Sequence, residues 1–314
     1  MKSVAVVNPR AGGYRVKRRW QRLQRLIDGH FGPVQAQFTS RPGEATHLAR
    51  EAIRAGAERI VVVGGDGTIN EAVNGFVDEA GESILNPAVT LAVCPVGTGC
   101  DFARSIGFAG VPLDVALQRS SERPIDLGRV EFVGRDGRNV VRHFLNISSF
   151  GASGTVVQKV NQTRKLFGSR LSFVIGTLRG MAAYANQRVR LQLDAGPEQD
   201  VLVNTVAVAN GRYFGGSMKV APEARLNDGL FDVVRMGDIG VGTFVRHGHL
   251  IYKGRHLTLP QMRCTRAARV VATPVDGQVL LDLDGEQPGR LPATFEVRAS
   301  AIKLLAPWDR ADAA

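Results

Sequence analysis

The chain has 314 residues, 44% of them hydrophobic and 22% charged, the composition of a globular protein of about two domains. Its 36 glycines follow no three-residue period, and its three cysteines (Cys94, Cys100, Cys264) lack CxxC spacing, which argues against collagen, a disulfide framework and a zinc site. No apolar run reaches the roughly 20 residues that span a bilayer, and the 40 Lys and Arg against 29 Asp and Glu, net +11, suit a polyanionic partner.

Residues 1–9 are broken too soon by Asn8 and Pro9 to read as a signal peptide, so the expected location is cytoplasmic. Val4 to Val7 is a short buried strand. Residues 14–27 place Val16, Trp20, Leu23 and Ile27 on one helical face, with Arg15, Arg18, Arg19, Arg22 and Arg25 on the other. A strand at 34–38, a helix from Glu44, a strand at Ile60–Val63, a helix over 70–77 and a strand at 88–93 follow. This alternation predicts a parallel sheet covered on both faces, with ligands beyond the carboxyl ends of its strands. From about residue 126 the pattern changes to β runs: 125–132, 140–148, 188–193, 201–209, 230–236, 269–273, 279–283, 294–297 and 302–305. Asp136-Gly137 and Asp276-Gly277 read as hairpin turns between them. Helical stretches at 166–185 and 239–251 interrupt an otherwise antiparallel sandwich or barrel.

Three glycine-rich segments sit at strand ends in the first half. Asn8, Pro9, Arg10, Ala11, Gly12 and Gly13 precede a helix, where free backbone N–H groups and the helix dipole suit phosphate. Gly64, Gly65, Asp66, Gly67, Thr68, Ile69 and Asn70 are more specific. The glycines admit close approach, Asp66 can hold Mg²⁺, and Thr68 and Asn70 open a helix. Pro95 to Arg104 repeats the logic with Gly97, Thr98, Gly99 and Asp101. Two acids on adjacent loops repel unless a cation lies between them. In the second half, Asp284 and Glu286 lie two apart, on one face if the chain is extended. A carboxylate there can take the proton of a substrate hydroxyl during phosphoryl transfer.

Together these segments resemble the diacylglycerol kinase-type catalytic domain of soluble bacterial lipid kinases, relatives of sphingosine and ceramide kinases and, more distantly, of NAD kinases. The resemblance covers nearly the whole chain. It implies an N-terminal α/β nucleotide-binding domain (1–126), a mainly antiparallel β-sandwich domain for the lipid substrate (127–308) and a tail (309–314). Whether the last strands return to the first domain is left open. It also implies an ATP site lined by the first two glycine segments, Gly97, Thr98 and, at the end of the second strand, Thr39. Asp126 would join Asp66 and Asp101 in a Mg²⁺ network, Asp228 with the carbonyls of Arg225 and Leu230 would hold a structural Mg²⁺, and Asp284 would act as base with Glu286 in support. One departure stands out: Cys100 occupies a position where the family usually has Asn.

The expected activity is ATP-dependent phosphoryl transfer to the alcohol of a membrane lipid such as diacylglycerol. Another acceptor on the same fold (a sphingoid lipid or NAD) and a non-catalytic nucleotide-binding regulator stay open, the latter because of Cys100. The expected partner is a lipid presented by an anionic membrane, with peripheral association. Residues 161–184, an apolar stripe flanked by Arg164, Lys165, Arg170 and Arg179, suit interfacial docking. Nucleic acid is not expected, since aromatics are only 6% and the basic residues are dispersed. A homodimer is left open.

Overall fold

The computed structural model describes residues 1–96, 100–155, 185–239 and 241–308. Gly97, Thr98, the 161–184 segment with its predicted helix, and the tail 309–314 lie outside them. The chain divides into two units, Met1–Leu127 with Arg298–Ala314, and Gly128–Val297.

The first unit is α/β. Strand β1 (Ser3–Val7) is buried along its whole length, as a central parallel strand must be. Helix α1 (Ala11–Phe31) buries Val16 and Ile27 and packs Trp20 and Leu23 on the same core, with its arginines outside. Then come β2 (Gln35–Phe38), α2 (Glu44–Arg54), β3 (Arg59–Gly64), α3 (Asp66–Asn74), β4 (Thr90–Pro95), α4 (Asp101–Ser105) and α5 (Leu113–Gln118). The sheet runs β2-β1-β3-β4, all parallel. The end of the chain's last strand adds to β4, also parallel, at Lys303–Leu305. The loops that follow β1, β3 and β4 therefore open side by side at one edge of the sheet.

The second unit is mostly antiparallel β. Strand β5 (Ser121–Gly134), which starts before the division, turns at Asp136-Gly137 into β6 (Asn139–Phe144). There follow β7 (Ile147–Gly151), β8 (Gln187–Leu193), β9 (Gln199–Val203), β10 (Thr205–Ala209), the short pair β11 (Tyr213–Phe214) and β12 (Met218–Lys219), and β13 (Phe231–Met236). After α6 (Val241–His247) and α7 (His249–Tyr252) come β14 (Met262–Ala267), β15 (Arg269–Pro274), β16 (Leu280–Leu283) and β17 (Glu286–Ala306). One path of strands runs β14-β13-β10-β7-β16-β17, and β15 joins β17 to β8 and β9. Their inward residues meet in one core, where Phe144 stacks on Phe231 with centroids 5.6 Å apart and Phe150 on Phe295 at 6.1 Å.

Several expectations are corrected. The run 140–148 is two strands, because the chain leaves the ladder at Leu145 and Asn146. The run 201–209 breaks at Asn204, whose N–H donates instead to the Met236 carbonyl (2.9 Å). The runs 294–297 and 302–305 are one strand, β17. Asp276-Gly277 is not a hairpin turn: β15 and β16 do not pair with each other, and both pair with β17. Strand β14 was not foreseen, because Arg263 to Arg266 on this edge strand are all exposed and carry no apolar alternation. The helix expected at 70–77 begins earlier, at Asp66.

Candidate active site

In the first unit three predicted segments come together. Asn8 is the link. Its N–H donates to the Val63 carbonyl (2.9 Å), and its Nδ2 donates to Thr68 Oγ1 (2.9 Å), joining the loop after β1 to the first turn of α3. Its Oδ1 accepts from the Arg10 N–H (3.0 Å) and so shapes its own loop. Beyond it Gly12 and Gly13 take left-handed backbone (φ 60° and 68°). The Val96 N–H donates to the Gly64 carbonyl (2.8 Å), bringing in the loop after β4. Thr39 stands at the end of β2, its N–H donating to the Val7 carbonyl (2.9 Å). Thr68, Ile69 and Asn70 are buried in α3. The Ile69 side chain belongs to the core, so it offers a ligand backbone alone.

Asp66 has a structural task that the sequence did not reveal. Its Oδ2 accepts the Asp101 N–H (2.8 Å) and its Oδ1 the Phe102 N–H (3.2 Å). Cys100, at the N-cap position of α4, makes no side-chain cap. Asp66 thus caps a helix 35 residues away, where an anion also meets the positive end of the dipole. The half-buried Cys100 thiol is pushed up to about 12 by desolvation first, then by Asp66 and Asp101. Both acids therefore bear on one point. Asp66 and Asp101 are the hard carboxylate donors that would hold a Mg²⁺ here. Asp126 is buried on β5, and its Oδ1 accepts the Ser300 N–H (2.7 Å). Among the described residues, Asp66, Asp101 and Asp126 included, no three His, Cys, Asp or Glu side chains form a metal-holding group.

In the second unit Asp284 and Gly285 form the turn between β16 and β17, both with positive φ (46° and 88°), the backbone of a type I′ hairpin. The turn ends the extended chain, so the argument that Asp284 and Glu286 share a strand face does not hold. They diverge. Asp284 Oδ1 accepts the Ile147 N–H (2.9 Å) and its Oδ2 the Leu145 N–H (3.3 Å). Glu286 pairs with Arg142 (3.2 Å). The break between β6 and β7 is what turns the Leu145 and Ile147 amides toward Asp284. Asn210 braces that break: fully buried, it donates through Nδ2 to the Leu145 carbonyl (2.8 Å). Neither the break nor the brace has a local sequence signal.

The predicted structural Mg²⁺ site does not fit. Asp228 Oδ2 is held by the Arg266 guanidinium, and its Oδ1 accepts the Leu230 N–H (3.2 Å). A divalent ion with the Arg225 and Leu230 carbonyls would have to displace that cation from the one carboxylate it needs.

Comparison with known proteins places the molecule. Residues 2–130 match the diacylglycerol kinase catalytic domain, and residues 146–306 the YegS C-terminal NAD kinase beta sandwich-like domain. The chain is 28% identical over 314 residues to a Bacillus subtilis diacylglycerol kinase, covering 98% of this chain and 97% of that protein. It is 32% identical over 283 residues to a YegS-like lipid kinase of Pseudomonas aeruginosa, covering 87% and 85%. A crystal structure of a Bacillus anthracis diacylglycerol kinase aligns over 99% of this chain and 97% of its own, with a TM-score of 0.70 at 21% identity, a likeness of fold. The chain belongs to the family of diacylglycerol kinase catalytic-domain proteins that includes the YegS-like lipid kinases. Among the described residues no helix is long and apolar enough to cross a membrane.

Proposed function

We propose that this chain transfers the γ-phosphoryl group of ATP to the hydroxyl of a membrane lipid, with diacylglycerol the leading acceptor. The observation that carries the reading is the joining of the Asn8 and Thr68 loops at adjacent ends of a parallel sheet, where backbone N–H groups suit a triphosphate. The family membership and the relatives' names support the acceptor class. The lipid oxygen forms the new O–P bond as the bond between the γ-phosphorus and the β,γ-bridging oxygen breaks. ADP leaves with that electron pair, and the hydroxyl proton passes to the Asp284 carboxylate. The Leu145 and Ile147 amides hold this base in one orientation. Mg²⁺ bound by Asp66 and Asp101 would supply charge neutralisation at the phosphates. The rest is positioning and electrostatics.

A lipid acceptor is drawn from a bilayer, and the exposed arginines of α1 (Arg15, Arg18, Arg19, Arg22, Arg25) suit an anionic one. Labelled ATP offered to a lipid panel in mixed micelles, with and without Mg²⁺, tests the reading. A Mg²⁺-dependent labelled diacylglycerol product is expected. Label on NAD alone points to the other acceptor, and no product with any acceptor points to a nucleotide-binding regulator. Binding to anionic vesicles should fall with added salt.

A further inference from the structure

Beneath the Asp284-Gly285 turn lies a carboxyl that the mechanism does not use. Asp282 is in β16 between Leu281 and Leu283, which point into the core. By strand alternation Asp282 points the other way, yet it is completely buried. It stands opposite Ser149 of β7 in the antiparallel register. The Gly285 N–H donates to its Oδ1 (3.0 Å), and its Oδ2 lies 3.2 Å from Ser149 Oγ. Ser149 Oγ lies in turn 2.9 Å from Ser153 Oγ, and both serines are buried. On the other side, Ser148 Oγ donates to the Asp282 carbonyl (2.8 Å). The turn that presents Asp284 is thus gripped twice, by the Leu145 and Ile147 amides on the Asp284 carboxylate and by Asp282 on the Gly285 amide.

We propose that Asp282 is a positioning residue for Asp284 and acts as a neutral acid, accepting from Gly285 through one oxygen and donating its own proton to Ser149 through the other. The inference rests on Asp284 acting as the base. The serine chain admits the neutral form: a hydroxyl both donates and accepts, so Asp282 can donate to Ser149 and Ser149 to Ser153. What favours that form over the reversed chain, Ser153 to Ser149 to a carboxylate, is the surroundings, which oppose a negative charge. Asp282 is out of water, and the carboxylates that bear on it are Asp284 in the turn and Glu286 at the start of β17. Glu286 is itself paired with Arg142 of β6. From β7 the Ser149 hydroxyl meets the Asp282 carboxyl, and the Ser148 hydroxyl meets its backbone carbonyl. Burial first, then these two neighbours, pushes Asp282 up to about 8.

When Asp282 loses its proton, a third negative charge sits under the turn, and the serine chain must reverse. The added charge repels the Asp284 carboxylate from the place that the Leu145 and Ile147 amides give it, and turnover falls. The neutral, isosteric Asp282→Asn keeps an acceptor for Gly285 and a donor for Ser149 without a titration.

The test compares full-length wild type, Asp282→Asn, Asp282→Ala and Asp284→Asn with ATP and diacylglycerol in mixed micelles between pH 6 and 9.5. Stability in urea is followed over the same range. Wild-type kcat should fall above about pH 8, while Asp282→Asn stays within about twofold of wild type at pH 7 and flat to pH 9. Asp282→Ala should lose about tenfold in kcat with the KM for ATP unchanged, the mark of a displaced base. An alkaline fall in Asp282→Asn equal to that of wild type, or wild-type kcat in Asp282→Ala, overturns the proposal. Asp284→Asn addresses the reading beneath it: retained activity removes Asp284 as base, whereas a loss of about a hundredfold or more supports it. If wild type phosphorylates no lipid, the proposed function fails, and the difference in urea stability between wild type and Asp282→Asn then decides the proton. A difference that changes with pH upholds the neutral acid, and one constant across pH overturns it.

Discussion

Gly64 is the tightest point in the first unit's loop cluster, and replacing it by alanine tests whether the loops meet as described. A Cβ on Gly64 would lie 2.6 Å from Thr68 Cβ, 2.7 Å from its Oγ1 and 2.9 Å from its Cγ2. Comfortable carbon separations are about 3.5–4 Å, so the overlap is roughly 1 Å. Thr68 Cβ is fixed to the backbone of α3, whose Ile69, Ala72 and Val73 are packed in the core, so a side-chain rotation does not relieve the contact. The helix start must move, and that pulls Thr68 from Asn8. Overpacking costs about 1–3 kcal/mol, and the lost hydrogen bond adds about 0.5–1.5 kcal/mol. At about 2–4 °C per kcal/mol, Gly64→Ala should melt about 3–18 °C below wild type. The KM for ATP should rise with it. Gly65→Ala is the control for stability alone, because a Cβ there meets no protein atom within 4 Å and the residue is extended (φ −100°). Thermal melts by circular dichroism and ATP titrations read both variants. A Gly64→Ala protein that melts within a degree of wild type, with unchanged KM, would refute the close approach.

Asp66→Ala removes both acceptors from the start of α4 and should cost about 1–2 kcal/mol in urea denaturation, with Asp66→Asn losing less because one amide keeps its oxygen; equal stability of all three proteins sinks the capping role. The raised Asp282 fixes a sign for pH. Between the unfolded carboxyl at about 3.9 and the folded group at about 8, the native chain binds more protons than the unfolded one. Stability from this group is therefore full at acid pH and falls as pH rises, by up to about 1.4 kcal/mol per pH unit, levelling off above the folded value. Asp282→Asn removes that slope, so its stability curve should not run parallel to that of wild type. At Asp228 the cation is the protein's own Arg266, so EDTA should leave the melting temperature of wild type unchanged. A drop of several degrees, restored by Mg²⁺, would mean that a metal holds this turn after all.

The α/β half was legible because its signals are local. Buried parallel strands such as β3 read as unbroken apolar runs, and the glycine segments fall where those runs stop. The β half was legible as a class but not in its breaks. Leu145 and Asn146 sit inside a run that looks like continuous strand, and only the Asp284 carboxylate, 139 and 137 residues beyond the Leu145 and Ile147 amides, gives those amides a reason to leave the ladder. Three of the chain's Asp-Gly pairs make the same point. Asp136-Gly137 turns a hairpin and uses its carboxylate on the Arg138 N–H two residues on (3.1 Å). Asp276-Gly277 joins strands that do not pair. Asp284-Gly285 turns a hairpin whose aspartate is held by distant amides and whose glycine is held by a buried acid. The dipeptide is identical each time, so local chemistry could never have ranked them. What separates a turn aspartate from a candidate base is which amides donate to it. The alternation of Leu281, Asp282 and Leu283 carried one further hint. A strand with both neighbours in the core and a polar residue between them normally turns that residue to water, and the burial of Asp282 against Ser149 is a departure that only the register with β7 reveals.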